Sequence, residues 1–391
     1  MRFLHISDLH IGKVVNDFSM LEDQRFLLGQ IAGIAEENRV DAVVIAGDVY
    51  DRAIPSGEAV TVFDRFLTEL SSCGIGVLMI SGNHDSPERL SFGRKLLKGQ
   101  GIHIAGVQEE GLITVEFWEP EPGSPRKQIL TQFVLLPFLK PSQMDASTSE
   151  EAVKKALAGY WEEEKRAGKK KKNRVLVTHF FVTDSGREPE LSDSETTVHV
   201  GGLDNVDASV FAGFDYTALG HIHKPQQVGG HPIWYAGSPL KYSFGETGQD
   251  KCALLVTLGA EGLSEVKPIL LRPMREMRKV SGSLKELLDQ GSGERREDYI
   301  QAILSDQGEL IDPIGTLRSV YPNIMQILRK TKEQEGEREA FETSVSRQLL
   351  KKRDGLSLFE DFYREVRGEE LTLEEKEFMG NLVKELEGAG I

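Results

Sequence analysis

The sequence predicts an α/β protein with a mostly parallel sheet at its core. Up to about residue 260, strand-sized apolar runs alternate with amphipathic stretches of helical periodicity. Strands that are apolar on both faces are typical of a parallel sheet covered by helices. The chain has 391 residues, of which 39% are hydrophobic and 28% charged, so two or three folded domains are expected.

The predicted strands share an aliphatic centre followed by a small or polar residue. They are RFLHIS, DAVVIAG, GVLMISG, IHIAGV, QFVLLPF, RVLVTHF, YTALGHI, PIWYAGS and CALLVTL. The stretches DQRFLLGQIAGIAEE and EAVTVFDRFLTELSS have apolar residues at helical spacing. A hairpin is expected at residues 119–128, where EPEPGSPRKQ interrupts the alternation.

The α/β rhythm breaks after residue 270, and four segments are expected. Residues 1–270 form the main domain, and residues 271–332 a small α/β domain in the order strand, helix, strand, helix, strand. Residues 333–354 are a charged linker, and residues 355–391 carry two amphipathic helices.

A cytoplasmic protein without membrane contact is expected. No window approaches the roughly 18 consecutive apolar residues of a membrane helix, and MRFLHISDLHIG lacks the features of a signal peptide. Only two cysteines occur, Cys73 and Cys252, each within an apolar stretch, so buried thiols and no disulfide framework are expected. The net charge of −15 does not exclude a nucleic-acid partner, because the acidic excess is concentrated after Glu333.

Five short motifs place Asp, Asn and His side chains at the ends of predicted strands. The motifs are SDLH with Asp8 and His10, AGDVYD with Asp48, SGNHD with Asn83 and His84, VTHF with His179, and GHIH with His221 and His223. Alternate residues of a strand share a face, so the two histidines of GHIH are expected to point the same way. Because ligands bind beyond the carboxyl ends of such strands, the motifs predict one site.

Carboxylates, imidazoles and one amide without a thiolate suit Mn²⁺ or Fe²⁺ and exclude a cysteine-based zinc site. Seven residues are candidate ligands: Asp8, His10, Asp48, Asn83, His179, His221 and His223. If Asp48 bridges, they supply four bonds to each of two metals and leave positions for water and phosphate. Each motif alone is as compatible with a core polar group or a helix cap, but five of them in order favour the metal centre.

The ordered motifs resemble the calcineurin-like metallophosphoesterase superfamily. The segments MRFLHISDLHIGK, GDVYDRAIPS, SGNHDSPERL and YAGSPLKYSFGE are similar to its double-strand-break repair nucleases. The resemblance implies a two-sheet sandwich flanked by helices, with a small capping domain and a C-terminal two-helix element. It also implies two Mn²⁺ sites, one held by Asp8, His10, Asp48 and His223 and the other by Asp48, Asn83, His179 and His221.

The same resemblance implies a DNA nuclease of DNA repair, recombination and replication. Its activities would be ATP-dependent 3′–5′ exonuclease action on duplexes and endonuclease action on single strands and hairpins. Its partners would be DNA, an SMC-like coiled-coil ATPase that grips the C-terminal helices, and a second copy, giving a homodimer within a heterotetramer.

His84 follows a candidate ligand directly and is therefore the candidate general acid. Asp85 either orients the His84 ring or caps the helix that begins with SPERL. Many archaeal and eukaryotic relatives have a histidine after G-D-x-[FY], whereas this chain has Asp51, so no DNA-positioning role is expected there.

Two other functions fit parts of the sequence. A phosphomonoesterase or small-molecule phosphodiesterase is an alternative, because metal motifs alone do not set the substrate. The appended small domain and the tail favour a polymer. A DNA-binding scaffold without catalysis is the second alternative, and competent residues at all seven ligand positions and at His84 argue against it.

Overall fold

The computed structural model describes residues 1–107, 112–120, 127–167, 173–192, 204–291, 293, 295–306, 308 and 310–329, with Thr372, Lys376 and Met379. The chain divides into two compact units, Met1–Leu328 and Arg329–Ile391. The predicted linker and, apart from those three positions, the predicted two-helix element lie outside the described residues. The domain boundaries at 270 and 332 stay predictions.

The strands of the described residues are mostly short and buried. In chain order they are β1 (Arg2–Ile6), β2 (Val14–Val15), β3 (Phe18–Ser19), β4 (Ala42–Ala46), β5 (Gly76–Ile80), β6 (Ile102–Ala105), β7 (Ile113–Pro120), β8 (Lys127–Leu135), β9 (Asn173–His179), β10 (Phe181–Thr183), β11 (Asn205–Asp207), β12 (Tyr216–Gly220), β13 (Gln226–Gln227), β14 (Ile233–Tyr235), β15 (Cys252–Gly259), β16 (Gly262–Leu270), β17 (Met277–Gly282), β18 (Tyr299–Leu304) and β19 (Ile324–Arg329). All nine predicted strands are present.

The helices begin where the sequence supplies caps. They are α1 (Leu21–Glu37), α2 (Gly57–Ser72), α3 (Pro87–Leu90), α4 (Arg94–Leu97), α5 (Ser149–Ala167), α6 (Leu284–Gln290) and α7 (Pro313–Arg318). Ser56 accepts a hydrogen bond from the Ala59 backbone N–H at the start of α2, and Ser283 with Glu286 forms a capping box at α6. The two long helices predicted at the N-terminal side are therefore confirmed.

Two six-stranded mixed sheets form the main body. The first has the order β16-β15-β1-β4-β5-β6 and the second the order β13-β14-β12-β9-β8-β7. Pairs β1–β4, β4–β5 and β5–β6 are parallel in the first sheet, as are β8–β9, β9–β12 and β12–β14 in the second. The predicted hairpin is also present, because β7 and β8 pair antiparallel up to Pro120 opposite Lys127.

Alternation along the strands builds a four-layer sandwich. Phe3 and Val44 of the first sheet share one apolar cluster with Phe133 and Tyr216 of the second. The Phe3 ring meets the Phe133 ring edge-on at 5.2 Å between centroids. The opposite faces of the two sheets form separate clusters with helices α1 and α2 on one side and α5 on the other.

His5 is a buried polar link between the two sheets. Its Nδ1 lies 2.9 Å from the Tyr216 hydroxyl and its Nε2 lies 3.1 Å from the Leu219 carbonyl oxygen. Burial lowers the pKa of His5 to about 3, although the Leu219 carbonyl opposes this. His5 is therefore a satisfied core histidine, as its position outside every motif suggests.

The small C-terminal part follows the predicted order of strand, helix, strand, helix and strand. Strands β17, β18 and β19 form one sheet, and Leu287, Ile300 and Leu317 pack in its own apolar cluster. Arg275 ties this part to α1, because its Nη1 lies 2.7 Å from a carboxylate oxygen of the buried Asp23. The hydroxyl of Tyr299 donates to the same carboxylate at 2.8 Å.

Among the described residues, no helix combines the length and the apolar character needed to cross a bilayer. Cys252 is buried as expected, whereas Cys73, at the C-terminal cap of α2, is exposed, so the prediction was wrong for Cys73. The apolar stretch around Cys73 is the end of an amphipathic helix, and this residue lies on its outer side.

Candidate metal centre

The carboxyl ends of five parallel strands deliver the candidate ligands to one place. Strands β1, β4 and β5 are neighbours in the first sheet, and β9 and β12 are neighbours in the second. The loops after β1 and β4 are held side by side, because the backbone N–H of Asp8 donates to the Gly47 carbonyl and that of His10 to the Asp48 carbonyl. All eight candidate residues meet at this edge of the sandwich.

Unusual backbone conformations aim these side chains. Four of the ten described non-glycine residues with positive φ are candidate ligands: Asp8 (52°), His10 (43°), Asp48 (48°) and His221 (102°). Left-handed backbone is unfavourable for residues with a side chain, so the surrounding structure must enforce it. Such concentration at one site is typical of a functional centre.

Asp48 lies at the middle of the cluster and is 2% exposed. Its Oδ2 is 3.4 Å from Nε2 of His179 and 3.7 Å from Nε2 of His10. Its Oδ1 accepts a hydrogen bond from the backbone N–H of His84 at 2.9 Å. One carboxylate oxygen thus faces two imidazoles that come from different sheets.

On one side of Asp48 lie Asp8, His10 and His223. The Nε2 atoms of the two histidines are 3.2 Å apart, which fits two nitrogens bound to one metal at about 2.1 Å each. Ligand atoms of this group all lie within 4.8 Å of one another. Nδ1 of His10 is buried and has no hydrogen-bond partner among the described residues.

On the other side lie Asn83, His179 and His221. The Asn83 Oδ1 is 3.0 Å from Nε2 of His179 and 3.1 Å from Nδ1 of His221. Nδ1 of His179 lies 2.8 Å from the Ala46 carbonyl oxygen, which fixes the ring with Nε2 toward the centre.

The two histidines of GHIH do not point the same way as predicted. Strand β12 ends at Gly220, so His221 and His223 lie in the turn that follows it. The backbone N–H of His221 donates to the Asp8 carboxylate at 3.0 Å. The strand period therefore does not apply, and the rings serve opposite sides of Asp48.

The electrostatics of the cluster suit cations. Burial and the charge of Asp48 raise the pKa of Asp8, although His179 and His223 oppose this. Burial also opposes ionisation of Asp48, but the imidazoles of His179 and His10 hold its pKa well below its usual range. Two buried carboxylates with neutral nitrogen and oxygen donors around them fit a pair of divalent ions.

Three neighbours take roles other than those the motifs suggested. The exposed His84 has Nδ1 3.1 Å from the Asp51 backbone carbonyl, and its ring meets the His10 ring edge-on. Asp85 neither caps α3 nor orients that ring through its described hydrogen bonds. It accepts from the backbone N–H groups of Val49, Tyr50 and Gly82, and Ser86 is the cap.

Sequence reasoning missed the residues that hold the metal loops. Gln24 donates through Nε2 to the His10 carbonyl at 2.7 Å and accepts from the Gly12 backbone N–H. Glu246 and Lys251 lie behind His223. Burial opposes ionisation of Glu246, but its neighbours His223 and Lys251 lower its pKa to about 2. Only the quoted segment YAGSPLKYSFGE, which contains Glu246, gave any signal for them.

Residues 1–225 match the family model described as "Calcineurin-like phosphoesterase", which is more than half of the chain. The chain therefore belongs to the calcineurin-like phosphoesterase family. It is a metal-dependent phosphoesterase, a hydrolase whose family chemistry uses two divalent metal ions. The predicted sandwich flanked by helices is the fold of this family.

The comparisons also reach a particular subfamily. Residues 273–367 match the model SbcD_C, described as "Type 5 capsule protein repressor C-terminal domain". The chain is 29% identical over 377 residues to SbcD, the nuclease component of SbcCD, from Staphylococcus epidermidis, with 95% of each chain covered.

Among solved structures, a dimetal phosphatase from Danio rerio is 14% identical, with a TM-score of 0.38, covering 69% of this chain and 98% of its own. The β-glucosidase BglU of Micrococcus antarcticus is 10% identical, with a TM-score of 0.21, covering 84% of this chain and 83% of its own. Both scores are low, so the fold assignment rests on the family match.

Gly82 tests whether Asp48 must occupy its observed position. A Cβ on Gly82 would lie 2.1 Å from Oδ1 of Asp48, so Gly82→Ala must displace that carboxylate. We expect metal affinity to fall about tenfold or more, as measured by calorimetry with Mn²⁺. Gly29→Ala is the matched control, because its Cβ would meet nothing within 4 Å. Wild-type metal binding by a folded Gly82→Ala protein would contradict the central position of Asp48.

Proposed function

We propose that this chain is the nuclease component of an SbcCD-type complex, a dimetal enzyme that hydrolyses phosphodiester bonds of DNA. The proposal includes ATP-dependent 3′–5′ exonuclease action on duplex ends and endonuclease action on single strands and hairpins. Its biological setting would be DNA repair, recombination and replication. The observation that carries it is the convergence of seven metal-ligand types and His84 in a chain that also matches the C-terminal SbcD_C model.

The donor set divides into two ligand groups around Asp48. Asp8, His10 and His223 with Asp48 would hold one ion, and Asn83, His179 and His221 with Asp48 would hold the other. Hard oxygen and borderline nitrogen donors without thiolate favour Mn²⁺. When bound, the ions supply an acidified water and neutralise charge that develops on the phosphate.

The protein's own residues position the reacting groups. The Ala46 carbonyl and the Asp8 carboxylate hold the backbone and rings of His179 and His221, so both rings are fixed before substrate arrives. His84 faces solvent beside the cluster, with its Nδ1 directed at the Asp51 carbonyl. With Nδ1 so occupied, Nε2 is the atom that would give a proton to the leaving 3′ oxygen.

The substrate class can be tested with the purified full chain, Mn²⁺ and end-labelled DNA, beside a phosphomonoester such as p-nitrophenyl phosphate. We expect Mn²⁺-dependent cleavage of single-stranded DNA and of hairpins, with little hydrolysis of the monoester. A protein that hydrolyses the monoester and leaves DNA intact would be a phosphomonoesterase instead. A protein that binds DNA and cleaves neither substrate would be a scaffold.

His84→Gln separates catalysis from metal binding in the same assay. Loss of the proton donor should lower DNA cleavage by about 10² to 10⁴, while two Mn²⁺ per chain remain bound. Asp48→Ala is the matched variant, and it should lose both ions because one carboxylate serves both positions. If His84→Gln loses a metal in calorimetry, His84 is itself a ligand and the assignment of the general acid is wrong.

The partners are part of the same proposal. An SbcC-type coiled-coil ATPase would bind the tail at 355–391, and a second copy of the chain would cover the exposed Phe92 and Leu96, which are 86% and 83% exposed. Removing residues 355–391 should keep Mn²⁺-dependent cleavage of single strands and the dimer mass in light scattering, but end co-purification with the ATPase. A truncated chain that still binds the ATPase and responds to ATP would contradict the role of the tail.

A further inference from the structure

Behind His223, on the side away from the metal centre, lies a buried ion pair that the proposed mechanism does not use. Glu246 is fully buried, and its Oε2 lies 2.7 Å from Nζ of Lys251, whose side chain is 4% exposed. Tyr242 and Ser243 donate their backbone N–H and hydroxyl to Oε1 of Glu246 at 3.3 and 3.1 Å. The carboxylate is therefore held from two sides.

Stability alone does not account for this pair. Removing two charges from water costs several kcal/mol per ion, and apolar residues of similar volume commonly serve a core as well or better. A buried ion pair therefore calls for another explanation, and the geometry at His223 offers one.

The His223 ring lies between the metal centre and Glu246. Its Nε2 faces Nε2 of His10 at 3.2 Å, and its Nδ1 faces Oε1 of Glu246 at 3.9 Å. A carboxylate on the Nδ1 side favours a proton on Nδ1 and leaves the lone pair of Nε2 for a metal.

Lys251 fixes both partners of this contact. Its Nζ donates to the His223 backbone carbonyl at 2.8 Å and to the Ser238 hydroxyl at 3.1 Å, while it pairs with Glu246. The same ammonium thus sets the backbone of the ligand and the position of the carboxylate behind the ring.

We propose that Glu246, held by Lys251, is a positioning residue that fixes the tautomer and orientation of His223 toward the metal centre. This inference rests on the proposed ligation by His223. Mutation of such outer carboxylates commonly lowers metal affinity by about 10- to 100-fold. The affected site should be the one shared by Asp8, His10 and His223.

The tautomer can be read in the wild-type chain, so the first test does not depend on a variant that folds. The metal-free full chain, labelled with ¹⁵N-histidine, is observed at pH 8 by long-range ¹H–¹⁵N NMR, and His223→Gln assigns the resonance. We expect the proton on Nδ1 and a bare Nε2. A proton on Nε2 overturns the proposal.

Glu246→Gln tests the effect on metal binding. Mn²⁺ titration, followed by calorimetry and by the electron paramagnetic resonance signal of the coupled ion pair, should show one site weakened about 10- to 100-fold and the other retained. Asp298→Asn is the matched control, since Asp298 is a largely buried carboxylate paired with Arg278 and Arg295 away from any imidazole. Wild-type affinity in Glu246→Gln, or an equal loss in Asp298→Asn, overturns the positioning role.

His223→Gln separates this inference from the proposed ligand set. If His223→Gln loses one site while Glu246→Gln binds both ions normally, only the inference about Glu246 fails. If His223→Gln binds both ions with wild-type affinity, His223 is not a ligand and both proposals fail. Neither readout depends on DNA cleavage.

Discussion

The buried carboxylate of Asp48 is the constraint around which the rest of the centre is arranged. A carboxylate that is 2% exposed is costly unless positive charge or hydrogen-bond donors surround it. Here the His84 backbone N–H and the imidazoles of His10 and His179 provide that surrounding. A divalent ion on each side of the carboxylate would complete the compensation. The site is therefore electrostatically consistent only as a cation-binding centre.

The two-sheet sandwich makes this arrangement possible because it brings together loops from both sheets. His10 follows a strand of the first sheet, and His179 ends a strand of the second. Close backbone approach is essential, since a Cβ on Gly220 would lie 2.0 Å from the Ala46 carbonyl and 2.7 Å from Nδ1 of His179. Glycine at the strand ends thus sets the distance between the sheets where the ligands meet.

Much of this could be predicted from sequence because the signals are local. Apolar strands and the polar residue after each one are visible in the chain, and they locate all eight candidate residues. Strand β16 was missed because it is an edge strand whose residues are mostly exposed or half-buried. The divergence of His221 and His223 depends on where β12 ends, and Gln24, Glu246 and Lys251 reach the site only through tertiary contacts. Single polar residues of that kind carry no periodic signal.

The central claim is that one carboxylate, Asp48, serves two metal ions. Anomalous diffraction from crystals of the full chain soaked in Mn²⁺ tests it most directly. The account predicts two peaks about 3.5 to 4 Å apart, both within bonding distance of Asp48, one beside His10 and His223 and the other beside Asn83 and His179. A single peak, or two peaks of which only one contacts Asp48, would contradict it.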